Sequence, residues 1–249
     1  MKLISIIIPY YKKRNYIKET LNSIFNQSYK NYEIIIVYDD EDLNDYYFLK
    51  KLIKKKKNIK LLKNKKQVGA GFSRNRAISI SRGDYIAFID ADDLWKKEKL
   101  KNQLNFMLKK KISVSHTSYE ILNNSKIKPV RLAKNFFHLN DILFSCDIGL
   151  STVMIKSVVF ESPELRFPKI QTKEDFVLWM KLLKNNYIIY GLNKSLTIWR
   201  KVENSLSGSV FQKLKDSYLV YNKYMKFNFI LSIIFVLFLC LNFLKKNFK

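Results

Sequence analysis

The first part of the chain, up to about residue 90, alternates between short apolar runs and longer amphipathic stretches. In the apolar runs, hydrophobic residues stand at odd and even positions alike, which is typical of strands buried on both faces of a parallel sheet. The stretches between them place apolar residues on one side of a helix, as with Ile17, Leu21 and Ile24. This alternation predicts βαβ units with right-handed crossovers. The predicted strands are 3–8, 32–37, 59–62 and 85–89, and the predicted helices are 17–25, 43–57 and 73–81.

The pattern after residue 90 is less regular. It predicts a helix from Leu94 to Lys110, a mixture of short strands and loops over 112–155, and a helix that begins near Thr172. Further strands are expected around Tyr187 and Leu196. The chain is therefore expected to be an α/β protein with a mostly parallel, Rossmann-like sheet flanked by helices.

The C-terminal segment is far more apolar than the rest of the chain. Residues 227–244 contain only three polar residues, Asn228, Ser232 and Asn242, and lysines flank both ends. A helix of this length covers about 27 Å, close to the ~30 Å of a hydrocarbon core. The segment is therefore expected to be a hydrophobic helix that anchors the protein in a membrane. The alternative is a buried C-terminal core helix or a contact between subunits.

Composition and charge narrow the choice of function. The 249 residues include 46 Lys+Arg and 21 Asp+Glu, which gives a net charge of +25. Only seven of the basic residues are Arg, the side chain best suited to forked recognition of phosphates and bases, so the charge is a weak sign of nucleic-acid binding. The many Lys, Asn and Ile residues indicate the codon bias of an AT-rich genome as a source of the charge. Attraction to anionic lipid headgroups is the functional alternative. Two cysteines exclude a disulfide scaffold and a cysteine-based zinc site.

Acidic residues follow two of the predicted strands. Asp90, Asp92 and Asp93 come directly after the strand at 85–89, and Asp39 ends the strand at 32–37. Ligands bind at the carboxyl ends of strands in open α/β sheets, and paired carboxylates suit a hard divalent cation such as Mg²⁺ or Mn²⁺. The alternatives are a solvated acidic turn that caps the helix at Leu94, and an ordinary turn at Asp39.

Two other segments carry candidate chemistry. The turn at 69–71 leads into a helix that contains Arg74, and helix N-termini attract phosphate. Asp175 stands near the start of a later helix, where it is a candidate general base. The alternative is structural, because Thr172 and Asp175 have the spacing of a capping box.

Five segments in this order resemble the motifs of family 2 glycosyltransferases, which have the GT-A fold, act with inversion and in bacteria build surface polysaccharides. The resemblance extends from residue 3 to about residue 207. The segments that carry it are 6–11 (IIIPYY), 35–40 (IIVYDD), 73–75 (SRN), 83–93 (GDYIAFIDADD) and 174–179 (EDFVLW).

The resemblance implies roles for individual residues. Asp175 would be the catalytic base, and Asp92 would bind the divalent metal, Mn²⁺ or Mg²⁺. Asp39 would contact the nucleobase, and Asp90 the ribose. The nucleotide-binding set would be Pro9, Tyr11, Asp39, Arg74, Asp90 and Ala91, and Glu174 and Arg200 would contact the diphosphate or the acceptor.

The resemblance also implies a domain plan and a reaction. Residues 1–215 would be the catalytic domain, with 1–110 binding the nucleotide sugar and 111–215 the acceptor, and residues 216–249 would be a helical tail with the anchor at 227–244. The enzyme would move a sugar from a nucleotide-diphosphate sugar, expected to be UDP-linked, to a hydroxyl of a glycan or lipid-linked glycan. It would work at the cytoplasmic face of the plasma membrane, with no nucleic-acid partner.

Two other classes remain as alternatives. One is a basic, membrane-associated protein that binds nucleic acid or lipid without catalysis, which leaves the acidic residues at the strand ends unexplained. The other is a nucleotidyltransferase, which would also use such carboxylates and a metal, but a Gly-rich, Lys-containing phosphate loop is missing near the N-terminus.

The sequence departs from the family pattern at several positions. Residues 10–13 (YYKK) replace a small polar turn, Glu41 and Asp42 replace Gly-Ser, and Gln67 replaces an Asn. Val202 stands where the family often has a His. A metal or diphosphate contact from that His is therefore not expected here, and Arg200 or Lys201 is the candidate to supply the phosphate charge.

Overall fold

A computed structural model describes residues 1–124, 126–145, 147–202 and 210–247. Within these residues, ten strands form one mixed sheet. The strands are β1 (Ile4–Tyr10), β2 (Tyr32–Tyr38), β3 (Ile59–Lys63), β4 (Tyr85–Phe88), β5 (Leu94–Trp95), β6 (Val114–Asn123), β7 (Lys126–Arg131), β8 (Phe136–Phe137), β9 (Met154–Lys156) and β10 (Ile189–Arg200). The helices are α1 (Ile17–Phe25), α2 (Leu43–Ile53), α3 (Ala70–Ile80), α4 (Lys99–Lys110), α5 (Leu139–Ile142), α6 (Glu174–Lys184), α7 (Val210–Leu219) and α8 (Phe229–Asn247).

The first four sheet positions are parallel strands, as expected from the alternating pattern. The order is β3-β2-β1-β4, with β1 hydrogen-bonded to β2 on one side and β4 on the other. Alternate side chains of β1 enter two separate cores: Ile7 packs with the helices α3 and α6, while Ile6 and Ile8 pack with α1, α2 and α4. The two-sided burial explains why these strands are apolar at every position.

The rest of the sheet differs from the expected mostly parallel arrangement. The order continues β4-β9-β6-β10-β5, in which β9 is antiparallel to both neighbours, β10 is parallel to β6, and β5 is antiparallel to β10. Strands β7 and β8 pair antiparallel with β6 and β10. The four strands in the region that the sequence pattern did not resolve, β6 to β9, thus add to the same sheet rather than forming a separate layer.

Several boundaries also differ from the sequence-based predictions. The helix expected from Leu94 begins at Lys99, because Leu94 and Trp95 pair with β10 as an edge strand. The helix expected from Ser73 begins at Ala70, after Gly69 with a φ of +93°, a conformation that favours glycine. Helix α2 ends at Ile53, before a lysine run. The two strands expected around 187 and 196 are one strand, β10.

The C-terminal part consists of α7, a π-helical turn at Val220–Tyr224, and α8. One side of α8 packs on the domain: Phe235, Val236 and Leu239 contact the core that contains α6, and Ser232 is fully buried. Along the described ranges of the chain, we find no helix with both the length and the apolarity needed to cross a bilayer.

Gly191 in β10 is a position where the packing excludes a side chain. A Cβ atom there would lie 1.9 Å from the carbonyl oxygen of Lys134, whereas a Cβ at Gly149 would meet nothing closer than 3.7 Å. Gly149 also has an ordinary φ of −74°. The chain segment before β8 therefore lies directly against the backbone of β10.

We expect Gly191→Ala to lower the free energy of unfolding by about 1–3 kcal/mol, because the backbone must shift to admit the methyl group. Gly149→Ala is the matched control and should leave stability unchanged or raise it by less than about 1 kcal/mol. Urea denaturation followed by circular dichroism measures both. Equal stability of the two variants would show that the contact between residues 134 and 191 is not fixed in solution.

Candidate functional site

Arg74 joins two parts of the chain at the carboxyl end of the parallel strands. Its guanidinium group donates to Asp90 Oδ1 at 2.7 Å and to Glu174 Oε1 at 2.6 Å, and its side chain is only 4% exposed. Asp90 follows β4 and Glu174 opens α6, so the two carboxylates come from positions 16 and 100 residues away from Arg74. A buried cation needs such partners, since an unpaired charge is costly to bury.

The start of α3 lies close against the start of α6. A Cβ atom added to Gly71 would lie 3.2 Å from both Glu174 Cγ and the carbonyl oxygen of Pro168. Glycine at this position therefore allows Arg74, one turn further along α3, to reach Glu174. The glycine-containing turn that the sequence offers as a phosphate site also has this packing function.

Asp92 forms an ion pair with Lys13, and the Lys13 Nζ to Asp92 Oδ2 distance is 2.7 Å. Lys13 follows Lys12, which has a φ of +50° in the turn after β1. Burial and the nearby Asp90 carboxylate raise the pKa of Asp92, and the Lys13 ammonium group opposes that rise. Asp90 and Asp92 thus lie at one site, as predicted, but each faces a different cation.

Asp175 is half-buried at the start of α6, beside Glu174. Burial and the Glu174 carboxylate raise the pKa of Asp175 to about 6, while Arg74 acts in the opposite direction. A carboxylate with a pKa near 6 is ionised at neutral pH and is a better proton acceptor than an ordinary aspartate. The geometry thus provides a carboxylate able to act as a general base.

The capping box that Thr172 and Asp175 suggest in the sequence is not formed. The residue before α6 is Lys173, which has a φ of +68°. The Thr172 hydroxyl donates to Asp216 of α7 instead, and Asp175 Oδ1 accepts from the amide of Phe176. The capping-box interpretation of this pair is therefore wrong.

Arg200, at the end of β10, lies beside the Asp90–Asp93 segment. Its Nε donates to the carbonyl oxygen of Asp92 at 2.9 Å and its Nη2 contacts Glu19 at 2.5 Å. The Arg200 amide donates to Asp93 Oδ1 at 2.9 Å. The structure thus brings Arg200 to the predicted site across 107 residues of sequence.

Asp93 is a buried structural carboxylate. Besides the Arg200 amide, it accepts from the hydroxyl of Ser151 at 2.5 Å, and burial together with Asp90 and Asp92 raises its pKa well above the usual range. It ties β10 and the segment around Ser151 to the end of β4. The solvated acidic turn proposed as an alternative for this segment does not describe Asp93.

Asp39 lies at the end of β2 and is almost fully buried. Its carboxylate accepts from Asn64 Nδ2 at 2.8 Å and from the amides of Val68 and Gly69 at 2.9 and 2.7 Å. It therefore holds the loop that leads into α3. Since a carboxylate has about four acceptor positions, this network leaves room for one further donor.

The other predicted nucleotide-binding residues lie at the same edge of the sheet. Pro9 is near the end of β1, and Tyr11 follows that strand. Ala91 is buried between Asp90 and Asp92, and its carbonyl oxygen accepts from Thr20 Oγ1.

The donor set fits a divalent cation only in part. Asp90 and Asp92 offer the hard oxygen ligands that Mg²⁺ and Mn²⁺ prefer, but Arg74 and Lys13 are paired with them. Among the described residues, no group of three or more His, Cys, Asp or Glu side chains is arranged to hold a metal. Val202 supplies no ligand, and Ser205 and Ser207 lie outside the described residues.

Sequence reasoning missed Lys13, Asn64, Ser151 and Asp216 as parts of this region. Lys13 is one lysine among many, and no spacing rule links it to Asp92. Asn64 and Asp216 stand in segments with no recognisable motif. Only tertiary contacts identify them.

A family model described as "Glycosyl transferase family 2" matches residues 5–154. The chain is 32% identical over 229 residues to a putative teichuronic acid biosynthesis glycosyltransferase, TuaG, of Bacillus subtilis (strain 168), covering 91% of this chain and 90% of that protein. It is 35% identical over 214 residues to WfgD of Escherichia coli, a UDP-Glc:alpha-D-GlcNAc-diphosphoundecaprenol beta-1,3-glucosyltransferase, covering 86% and 83%.

The fold is similar to that of TarS from S. aureus, whose residues 1–349 were crystallised in complex with UDP-GlcNAc. The TM-score is 0.74 at 24% sequence identity, and the match covers 88% of this chain and 65% of the TarS chain. This likeness confirms the expected GT-A architecture.

We expect Glu174→Gln to lower the pKa of Asp175 below its value of about 6, because the glutamate carboxylate raises it. Carbon-detected NMR titration of the Asp175 carboxyl group measures the change. Glu161→Gln, which removes an exposed carboxylate elsewhere, is the control and should leave the titration unchanged. An unchanged or higher pKa in Glu174→Gln would contradict the electrostatic coupling between the two residues.

Proposed function

The chain belongs to glycosyl transferase family 2 and is a glycosyltransferase, and from this we propose that it transfers a sugar, with inversion, from a UDP-sugar to a hydroxyl group of a lipid-linked glycan. In the proposal, residues 1–110 bind the donor and residues 111–215 bind the acceptor. The product would belong to a cell-surface polysaccharide.

The observation that carries the proposal is the convergence on Arg74. This buried residue joins Asp90, at the end of a parallel strand, to the first residue of the helix that carries Asp175. The elements that we propose to bind the donor and to carry the base are thereby held at one edge of the sheet. The alternative of a basic binding protein without catalysis offers no reason for this arrangement.

Asp175 is the proposed general base. Its carboxylate takes the proton from the acceptor hydroxyl while the acceptor oxygen forms a bond to the anomeric carbon. The bond from that carbon to the diphosphate oxygen breaks, and the electron pair leaves with the nucleoside diphosphate. One displacement inverts the anomeric centre and needs no covalent enzyme intermediate.

The remaining site residues are proposed to bind and orient the donor. Asp39 is assigned to the nucleobase, because its network leaves one acceptor position. Asp90 is assigned to the ribose, and Arg200 and Glu174 to the diphosphate or the acceptor. Pro9, Tyr11, Arg74 and Ala91 complete the donor site.

Asp92 is the proposed ligand of a divalent metal, Mn²⁺ or Mg²⁺. When bound, such a metal stabilises negative charge on the departing diphosphate. Lys13 already neutralises Asp92 in the structure. A metal ion would therefore have to displace this ammonium group from the carboxylate.

The similarity to WfgD supports a UDP-linked donor and an acceptor linked to a lipid diphosphate, because those are the substrates in that protein's name. The TarS complex with UDP-GlcNAc supports the same nucleotide. A lipid-linked acceptor would place the reaction at the cytoplasmic face of the plasma membrane.

Helix α8 is the proposed membrane contact. The side turned away from the domain exposes apolar side chains, among them Phe229 (63% exposed) and Ile230 (68% exposed). Phe211 of α7 is also exposed, and lysines lie nearby in the sequence. An apolar face flanked by lysines fits the surface of an anionic bilayer.

We expect Asp175→Asn to reduce kcat by about 10²–10⁴-fold, the usual contribution of a general base. Wild-type kcat should fall below pH ~6, because protonated Asp175 cannot accept a proton and its pKa is about 6. Release of UDP from UDP-sugars in the presence of lipid-linked acceptor measures both effects. Glu161→Gln is the control; full activity of folded Asp175→Asn would contradict the assignment.

We expect Lys13→Met to increase the affinity of the nucleotide-free protein for Mn²⁺ by about 10-fold, because the metal no longer competes with an ammonium group at Asp92. Electron paramagnetic resonance of free Mn²⁺ measures binding without any need for turnover. Lys18→Met, which removes an exposed lysine of α1, is the matched control. Unchanged affinity in Lys13→Met would contradict the proposed competition between Lys13 and the metal for Asp92.

We expect replacement of Ile230, Ile233 and Leu237 by Ser to reduce binding to phosphatidylglycerol vesicles by at least about 10-fold, because apolar burial and lysine attraction act together. Sedimentation with the vesicles measures binding. Ile127→Ser with Leu132→Ser removes two exposed apolar side chains outside α7 and α8 and is the control. Equal loss in the two variants would contradict the assignment of α8.

A further inference from the structure

We propose that Asp216 of α7 is a positioning residue for the reaction: it holds the loop at 168–173 and so fixes the place of Asp175. The proposal rests on the proposed function in so far as Asp175 is the base. It assigns to the C-terminal helices a part in catalysis that is separate from any membrane contact.

Asp216 is a buried carboxylate, 2% exposed, that accepts hydrogen bonds from inside and outside its own helix. Its Oδ2 accepts from the amide and from the hydroxyl of Thr172, both at 2.8 Å, and its Oδ1 accepts from Gln212 Nε2 at 2.9 Å. Hydrogen bonds to an ionised group are among the stronger ones in proteins. Two of the three join α7 to a residue 44 positions earlier.

The held residue stands three positions before Asp175. Between them, Lys173 has a left-handed backbone with a φ of +68°, a conformation that non-glycine residues keep only where the surrounding contacts impose it. The two hydrogen bonds that Thr172 donates to Asp216 are such contacts. Without these hydrogen bonds, the backbone at 172–173 is less restrained, and so is the direction in which the chain enters α6.

Two further contacts from the same C-terminal segment act on the same loop and helix. The Tyr224 hydroxyl donates to the carbonyl oxygen of Lys169 at 3.1 Å, and the ring of Tyr221 packs edge-on against Phe176 at 6.2 Å between centroids. Residues 216–224 therefore contact the chain on both sides of Asp175. The contact with Asp216 is the only charged one among these three.

Movement of this loop would be transmitted to the donor side of the site. The carbonyl oxygen of Pro168 and the side chain of Glu174 both lie against Gly71, with no room for even a methyl group without adjustment. Glu174 in turn forms an ion pair with Arg74. The loop is thus packed between α7 and α3, and a displacement on the order of 1 Å at a reacting group can cost about 10²-fold in rate.

The test compares Asp216→Asn and Thr172→Val with Ser217→Ala in the full-length protein. The first removes the charge, and the second removes one of the two donors while keeping the carboxylate. Ser217 is the neighbouring buried residue, and among the residues that the structure describes its hydroxyl donates only within α7, to the carbonyl oxygen of Lys213. It therefore controls for a general loosening of the helix.

We expect kcat to fall about 10-fold or more in Asp216→Asn and by a smaller factor in Thr172→Val. The pKa of Asp175, measured by NMR, should move down from about 6, because a loosened α6 start admits water and burial is the main cause of its rise. The double variant should be no slower than Asp216→Asn, since both changes act on one contact.

A lower melting temperature with unchanged kcat and an unchanged Asp175 titration would show that Asp216 is merely structural and would overturn the proposal. The same conclusion follows if Ser217→Ala reproduces the effects. If Asp216→Asn fails to fold, Thr172→Val decides by the same measurements. Failure of the proposed function would be distinct: wild-type protein would release no UDP, while the titration would still report on the position of Asp175.

Discussion

The burial of the Arg74 guanidinium group is the constraint on which the site depends. A buried cation is stable only when carboxylates compensate its charge, and here these are Asp90 and Glu174. Removal of one partner leaves the buried guanidinium group with a single carboxylate to compensate its charge. The end of β4 and the start of α6 are therefore fixed relative to each other by electrostatics as well as by packing.

The same principle governs the rest of the acidic cluster in a chain of net charge +25. Asp92 faces Lys13, and the Asp90–Asp93 segment lies beside Arg200. Because each carboxylate has its own cation or its own donors, several acids share a small volume. In Asp92, Asp93 and Asp175, burial and a neighbouring like charge outweigh these partners, and the raised pKa of each carboxyl group is the consequence.

The C-terminal helices add a second layer of constraint. Tyr221 and Phe235 stack at 5.1 Å between centroids, and the Tyr221 hydroxyl donates to the carbonyl oxygen of Leu143. The inner side of α8 is thus joined to the core that contains α6, while its outer side stays apolar and exposed. One segment thereby contributes both to the support of α6 and to the surface of the protein.

The sequence by itself determined the parallel half of the sheet, since strands buried on both faces must be apolar at every position, as β1 and β2 are. It also determined which acids stand at strand ends, because these residues directly follow the apolar strand segments in the sequence. It left the second half of the sheet unresolved, since strands of two or three residues such as β5 and β9 are too short to show a period. Only the tertiary structure decided the partners of the charges: Lys13 with Asp92, Arg74 with Glu174 and Asp216 with Thr172 are contacts between distant segments, and no local pattern encodes them.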